Sequence, residues 1–569
     1  MYAKLMKRFA IIFTLSSAAI TAAATAQTEG SNANQDYDLM LVGGALKTCS
    51  SMSSQYCYDT DWIDRDNMRL DRYLNLGGRY QARATEDALW PALRRDTRDD
   101  VREALALIRE RLGEDVIPER VFIEEFTRRA TRYLYDNMSD AEWNRVLDHL
   151  EMPVPETRTE VADVEQNVNK SSTLIMKRFV EMARNAARAK GAEADAKPKV
   201  LVMTASARDP LDAVDFYVSA FNSAGANTTW LPIDAAVMAA RRNDDCDNLD
   251  SYRPKHLGSW DRARVHPRKH AEQVKHCKNP ELALELVANA DAVFLNGGDQ
   301  NLMRNALLTP DNMANDLLNA IYAKLRDDEL VVGGTSAGTA VMTARPMISN
   351  GTSAAALIDG AKAAEPPKPG CDRDNSCSPN LEPDSLTYHP LGGISLFPYA
   401  ILDTHFSERG RHGRLLRLAA TTGTPMAIGV DETTALMVDL DSGNFNVLGE
   451  RGVFFALGAQ QGPNAVASTF HYFVDGTSGV LNEREVTNVE FSTQLDLIKV
   501  EPTSNFMSDR GAVDAMRLFC QERKQIRLAQ DEFVMVMQID DETRTQKAGA
   551  ECQIYNGRMG ISYEPQQQL

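Results

Sequence analysis

The chain has no surplus of positive charge. Its 62 Lys and Arg residues face 80 Asp and Glu, a formal net charge of −18, and a nucleic-acid partner needs a basic surface to displace the counterions of phosphate. Nucleic acid is therefore excluded as the main partner. Past residue 26 no apolar run approaches the roughly 20 residues that a membrane-spanning helix requires. No C-x-x-C pair occurs among the eight cysteines, which makes a zinc site built on thiolates a poor reading. Apolar residues themselves are not lacking: at 43 % of 569 residues they support a full core and more than one domain.

The N-terminus reads as an export segment. Lys4, Lys7 and Arg8 give a positive start, residues 9–20 are mostly apolar but too short to span a bilayer, and Ala24-Thr25-Ala26 forms an A-x-A cleavage site before Gln27. The mature protein is expected in the periplasm or outside the cell. An even number of cysteines suits that compartment, and their spacing pairs Cys49 with Cys57, Cys246 with Cys277, Cys371 with Cys377, and Cys520 with Cys552 as structural disulfides.

The stretch around which the chemistry is organised is 330–343, LVVGGTSAGTAVMT. A short β-run meets a G-x-S-x-G turn whose Gly334, Gly338, Thr335 and Ala337 are small enough for a tight strand-to-helix corner. Ser336 would be pushed out at the carboxyl end of that strand, facing backbone N–H groups of the helix that follows. A strand running into a second glycine turn precedes this corner at 291–302 (DAVFLNGGDQNL). Residues 403–418 (DTHFSERGRHGRLLRL) carry His405 followed at close spacing by Arg409, Arg411 and Arg414, and 426–436 (MAIGVDETTAL) is a strand ending in two acids.

The motifs GGDQ, GTSAG, D-x-HF-x-x-R-x-R-x-x-R and G-x-DE-x-TA, in this order along the chain, resemble the cyanophycinase family of serine peptidases. The resemblance covers roughly 36–48 and 196–500. It implies a flavodoxin-like, class I glutamine amidotransferase-like α/β core. It also implies hydrolysis of cyanophycin, a poly-aspartate carrying arginine on its side-chain carboxyls, to β-aspartyl-arginine dipeptides without a cofactor.

The order of elements fits an α/β protein. An opening strand lies within 36–57, at 36–45, and the alternation resumes with KVLVMTA at 199–205, a helix over 212–223 and a strand at 228–233. This predicts a parallel sheet with helices on both faces, and ligands collect at the carboxyl ends of such strands. Further strands are expected at 426–430, 435–438 and 451–457, with the family's closing strand at 485–500. The catalytic domain thus spans 196–500.

Between the first strand and the rest, 58–195 reads as an inserted helical bundle. Val101, Leu105, Ile108 and Leu112 share a face that stops at Gly113, and a capping box of Ser139 and Glu142 opens the next helix. A third helix, over 118–134, would place Phe122, Phe126, Ala130 and Tyr133 together. The bundle serves as a packing or homodimer element on this reading, with a lid or polymer-binding module as the alternative. Between Cys246 and Cys277 a basic segment that includes His266 and His270 reads as a disulfide-closed surface loop bordering an anionic substrate; no acidic or cysteine ligand accompanies the two histidines, so no metal is expected. Residues 365–385 form a Pro- and Asp-rich loop outside the resemblance, and 501–569 form a C-terminal extension.

A serine hydroxyl needs a base, and the base an orienting group. His405 is the candidate base and Glu432 the orienting acid, with Asp431 the rival because strand alternation sends the two acids opposite ways; the family match falls on Ser336, His405 and Glu432. The oxyanion would be held by the N–H groups of Ala337 and Gly298. Arg409, Arg411 and Arg414 are suited to gripping carboxylates through their guanidinium forks. The family implies a pocket for a β-aspartyl-arginine unit shaped by these arginines with Gln300 and Asp403, Asp403 meeting the substrate guanidinium. One residue departs from the pattern: Thr404 stands where the family commonly carries Gln, giving a subsite that is smaller and lacks an amide donor. The rival functions are an aspartyl dipeptidase-like enzyme acting on soluble peptides and a non-catalytic polymer-binding protein.

Overall fold

The computed structural model describes residues 37–128, 131–493 and 502–565. The export segment at 1–26 and the end of the expected closing strand lie outside the described residues; of that strand, Val486–Glu490 is seen.

The segments LMLV, AVFL and VLVM (200–203) are continuous apolar runs, the pattern of strands covered on both faces. They form the parallel part of a nine-stranded sheet: Leu39–Val42, the elbow strand Val331–Thr335, Ala292–Leu295, Lys199–Met203 and Asn227–Trp230, side by side in that order. On the other flank of Leu39–Val42, Thr434–Val438, Asn444–Gly449, Ser478–Leu481 and Val486–Glu490 extend the sheet antiparallel. One face is covered by the helices Lys170–Ala189 and Val214–Ser223, through Met176, Phe179 and Phe221. The other is covered by Ala235–Arg242, Gln300–Leu307 and Asp316–Arg326.

A single parallel sheet is not what the chain builds. Ile401–Thr404 and Met426–Val430 are parallel to each other but belong to a second sheet, continued antiparallel by Gly452–Gly462 and Ala465–Val474. The extension past residue 501 completes it with Glu551–Tyr563, Phe533–Gln538 and Gln525–Gln530. The turn at residues 431–433, with Thr433 left-handed at φ 51°, carries the chain from the second sheet into the first. That corner sets the acid-bearing turn between the two sheets, beside the end of the opening strand.

Within 58–165, helices Gly78–Ala84, Arg95–Leu112, Glu119–Phe126 and Asp140–Leu150 enclose a core of their own around Leu105, Phe122, Phe126, Val146 and Trp143. The capping box at Ser139 and Glu142 is formed, and Gly113 ends its helix at φ 68°. The third helix breaks after Phe126 and restarts as Arg132–Asn137, leaving Tyr133 exposed rather than beside Phe122. Lys170–Ala189 does not belong with this group, because its apolar face packs on the nine-stranded sheet.

The basic segment between Cys246 and Cys277 is not a surface loop. It folds into the helices Leu249–His256, Arg262–Val265 and Pro267–Lys278, and Arg253 and Arg262 are fully buried. Arg262 lies 2.7 Å from Glu151 and 2.5 Å from Asp209, while Arg69 lies 2.6 Å from Asp212. These buried pairs fasten the helical insertion to the sheet, and removing one partner of such a pair costs far more than its surface counterpart. All four disulfides are present in the pairing read from spacing. Among the described residues, no helix is long and apolar enough to cross a membrane.

Candidate active site

The elbow strand ends at Thr335, and Ser336 turns the corner at φ 54°, ψ −115° before the helical turn Ala337–Ala340. A non-glycine residue held there is strained, and such strain persists only where neighbours over-determine it. Here the Ser336 N–H donates to Val42 O at 2.9 Å, tying the corner to the opening strand. Ser336 Oγ lies 2.7 Å from His405 Nε2, and His405 Nδ1 lies 2.7 Å from Glu432 Oε1. The three residues are 69 and 27 positions apart in the chain, and they converge where the two sheets meet.

His405 is itself left-handed, at φ 46°, and its N–H donates to Gly43 O at 2.8 Å. Gly44 lies beneath the ring: a Cβ there would be 2.5 Å from His405 Nε2, so any side chain would expel the imidazole. Burial holds the His405 pKa below its usual range, against the upward pull of the Glu432 hydrogen bond. The hydrogen bond from His405 holds Glu432 low in turn, against its own partial burial. The imidazole is therefore neutral at neutral pH, the state able to accept a proton from Ser336.

The turn at 431–433 decides between the two acids. Asp431 points the other way, fully buried, and accepts from Ser407 N at 2.9 Å and from the Tyr472 hydroxyl at 2.9 Å. Gly298, at φ 144°, opposes the elbow; a Cβ there would lie 2.1 Å from Ser206 O, so only glycine fits. The Ala337 N–H starts its helix and has no carbonyl within the helix to meet.

No family model matches the chain. A cyanophycinase of Trichormus variabilis is 29 % identical over 180 residues, 32 % of this chain and 49 % of that protein. Another, of Geminocystis herdmanii, is 26 % identical over 242 residues, 42 % and 63 % of the two. The chain resembles the cyanophycinases. It spans about half the length of the curated relatives it matches. A solved peptidase from an acI-B1 Actinobacterium aligns with 55 % of this chain and 91 % of its own at 16 % identity, with a TM-score of 0.32.

The residues that the cyanophycinase resemblance assigns to substrate are unequally available. Asp403 is buried and closed off: Arg414 grips it through Nε at 2.8 Å and Nη2 at 2.6 Å, and Arg411 Nη1 adds a contact at 3.2 Å. Asp403 and Arg414 are thus paired with each other, and both are buried. Arg411 also donates to Thr404 O at 2.6 Å, and Thr404 is buried. Gln300 donates to Ile348 O at 2.8 Å. Arg409 is exposed, and its charge reaches both His405 and Glu432.

Three features were not found from sequence. Gly43 and Gly44 form part of the site, and the glycine pair ending the opening strand was the available signal. A cavity of about 240 Å³ opens at Ser336 and His405, lined by Leu46, Met176, Phe216, Tyr217, Phe221 and Phe294. Behind Glu432, Arg510 of the C-terminal extension lies 2.6 Å from Glu408 and 3.3 Å from Asp431, and Glu408 accepts the Glu432 N–H at 3.1 Å. Nothing in the local pattern around Arg510 announces that contact, which crosses 102 residues. A cluster of Glu151, Asp212 and His266 has metal-like spacing, but Arg69, Arg72 and Arg262 already neutralise its carboxylates.

Proposed function

We propose that the chain is an exported serine peptidase of cyanophycinase type, with Ser336 as nucleophile, His405 as general base and acid, and Glu432 as the group that holds the imidazole. The observation that carries the reading is the unbroken hydrogen-bonded line from Ser336 Oγ through His405 to Glu432 at 2.7 Å per step. Ser336 Oγ attacks the scissile carbonyl as its proton passes to His405 Nε2. The tetrahedral oxyanion is received by the N–H groups of Ala337 and Gly298. Collapse breaks the C–N bond, His405 returns the proton to the leaving amine, and an ester on Ser336 remains. Water then repeats the sequence: His405 takes its proton, and the acid product leaves with Ser336 restored. Glu432 stays ionised and fixes the tautomer in which Nδ1 carries the proton.

Cyanophycin is the substrate that the relatives suggest. Arg409 and Arg411, beside His405, supply the positive charge that a poly-aspartate would meet. The second reading, cleavage of soluble aspartyl peptides, is favoured by the closed Asp403–Arg414 pair, which leaves no carboxylate there for a substrate guanidinium. The four disulfides support the exported reading. The deciding experiment incubates purified protein and its Ser336→Ala variant with cyanophycin and identifies products by mass spectrometry. β-Aspartyl-arginine from the parent alone is expected. Release by the variant would overturn the mechanism, and cleavage of small aspartyl peptides without polymer degradation would establish the second reading.

A further inference from the structure

The cavity beside Ser336 bears on which substrate the site accepts. Its floor is Met176, Phe221 and Phe294, each at most 2 % exposed, and Leu46, Phe216 and Tyr217 stand half-buried at the mouth. Two helices on one face of the sheet supply most of this wall: Lys170–Ala189 gives Met176, and Val214–Ser223 gives Phe216, Tyr217 and Phe221. The rings support one another, with centroids of Phe221 and Phe294 4.7 Å apart and those of Phe216 and Tyr217 5.1 Å apart. The wall is therefore preformed rather than collapsible.

Its chemistry is one-sided. Among the described residues no Asp, Glu, Lys or Arg lines the cavity, and the ionisable side chains on it are His405 and Tyr217. The Tyr217 hydroxyl accepts the Gly297 N–H at 3.4 Å. At about 240 Å³ the space falls below the roughly 300–1,000 Å³ of sites that take whole drug-sized molecules, and suits one large side chain. A guanidinium placed there would lose its water and find no carboxylate, whereas an aromatic or long aliphatic group would bury its surface at no such cost.

We infer that this cavity is a specificity pocket for a neutral apolar side chain, aromatic or long aliphatic, on the residue adjoining the scissile bond. The inference rests on the peptidase reading in its second form, cleavage of soluble aspartyl peptides, and counts against cyanophycin: an aspartyl peptide with an apolar neighbour fits the site better than one with arginine. Arg409 and Arg411 remain beside His405 to meet the acidic part of such a peptide.

The test separates binding from catalysis. Ser336→Ala protein is titrated by calorimetry with β-aspartyl-phenylalanine and β-aspartyl-arginine, which share their acidic half. Binding of the phenylalanine peptide at least tenfold tighter is expected. Adding Phe216→Asp, which sets a carboxylate at the mouth, is expected to weaken that peptide at least tenfold and to strengthen the arginine peptide. Should Phe216→Asp not fold, Leu46→Asp makes the same change from the segment after the opening strand. Equal affinities, a preference for arginine, no binding of the phenylalanine peptide, or indifference to the added carboxylate would each overturn the inference. Fluorophosphonate labelling of the parent examines catalysis independently: an unlabelled Ser336 alongside tight phenylalanine binding would sink the peptidase reading and leave the pocket standing.

Discussion

Replacing Arg510 by Met is expected to destabilise the protein in a way that depends on pH. The side chain keeps a similar length, but a guanidinium is lost from between Glu408, Asp431 and Glu551, which it meets at 2.6, 3.3 and 3.5 Å. Taking one partner from a buried ion pair costs about 3–5 kcal/mol, because the remaining charge is neither solvated nor paired. Glu408 sets the pH dependence. Burial first, and then the charge of Asp431, push its pKa from 4.5 up to about 7 even with Arg510 opposing them. A carboxyl raised in the folded state holds its proton longer there than in the unfolded chain. Its stabilising contribution is therefore complete below pH 4.5 and is lost as pH rises to about 7, a change on the order of 3 kcal/mol. Without Arg510 the folded pKa moves higher still, so the loss continues above neutrality and the deficit of the variant grows from about pH 5 to pH 8. Urea unfolding followed by tryptophan fluorescence at the two pH values measures it. Adding Glu408→Gln removes the carboxylate that needs the cation, and recovers at least 1 kcal/mol if the two residues are coupled as the geometry implies. A deficit that is flat with pH and untouched by Glu408→Gln would refute the reasoning.

Ser336→Ala exchanges a hydroxymethyl for a methyl and is expected to lower turnover by about a thousandfold or more at an unchanged melting temperature; residual turnover within tenfold of the parent would refute the assignment of the nucleophile. Because burial holds His405 low, kcat/KM is expected to rise with pH through a midpoint below 6.5 and to level off by neutrality. Glu432→Gln removes the negative charge that helps lift that pKa, so its acid limb moves to lower pH while kcat falls, and an unmoved limb would dissociate Glu432 from the base. Gly298→Ala places a methyl against Ser206 O, 2.1 Å from an ideal Cβ, and is expected to abolish activity; near-parental kinetics would remove Gly298 from the oxyanion site. Reduction of Cys246–Cys277 and Cys520–Cys552, which close separations of 31 and 32 residues, is expected to cost about 3.5–4 kcal/mol for each bridge by chain entropy. Calorimetric scans with and without reductant check that value, and activity below the melting transition is expected to survive because neither bridge touches Ser336.

The sequence by itself determined the elements whose signals are local. A strand-to-helix corner needs small residues at fixed offsets, so Ser336 at such a corner could be read from GTSAG. The capping box at Ser139 and the stop at Gly113 are likewise decided by neighbours three or four residues away. Disulfide pairing followed spacing because all four bridges join cysteines close in the chain. What required the tertiary structure depends on residues that meet only after folding. Adjacent acids look alike until a sheet gives each a face, and Glu432 turns to His405 while Asp431 turns to Tyr472 and Arg510. A run of arginines reads as a binding surface until a buried Asp403 claims Arg414. A basic segment reads as a solvated loop until Glu151 and Asp209, from distant parts of the chain, bury Arg262. In each case the outcome turns on desolvation: the value of a charge is set by what surrounds it, and its surroundings are not its neighbours in sequence.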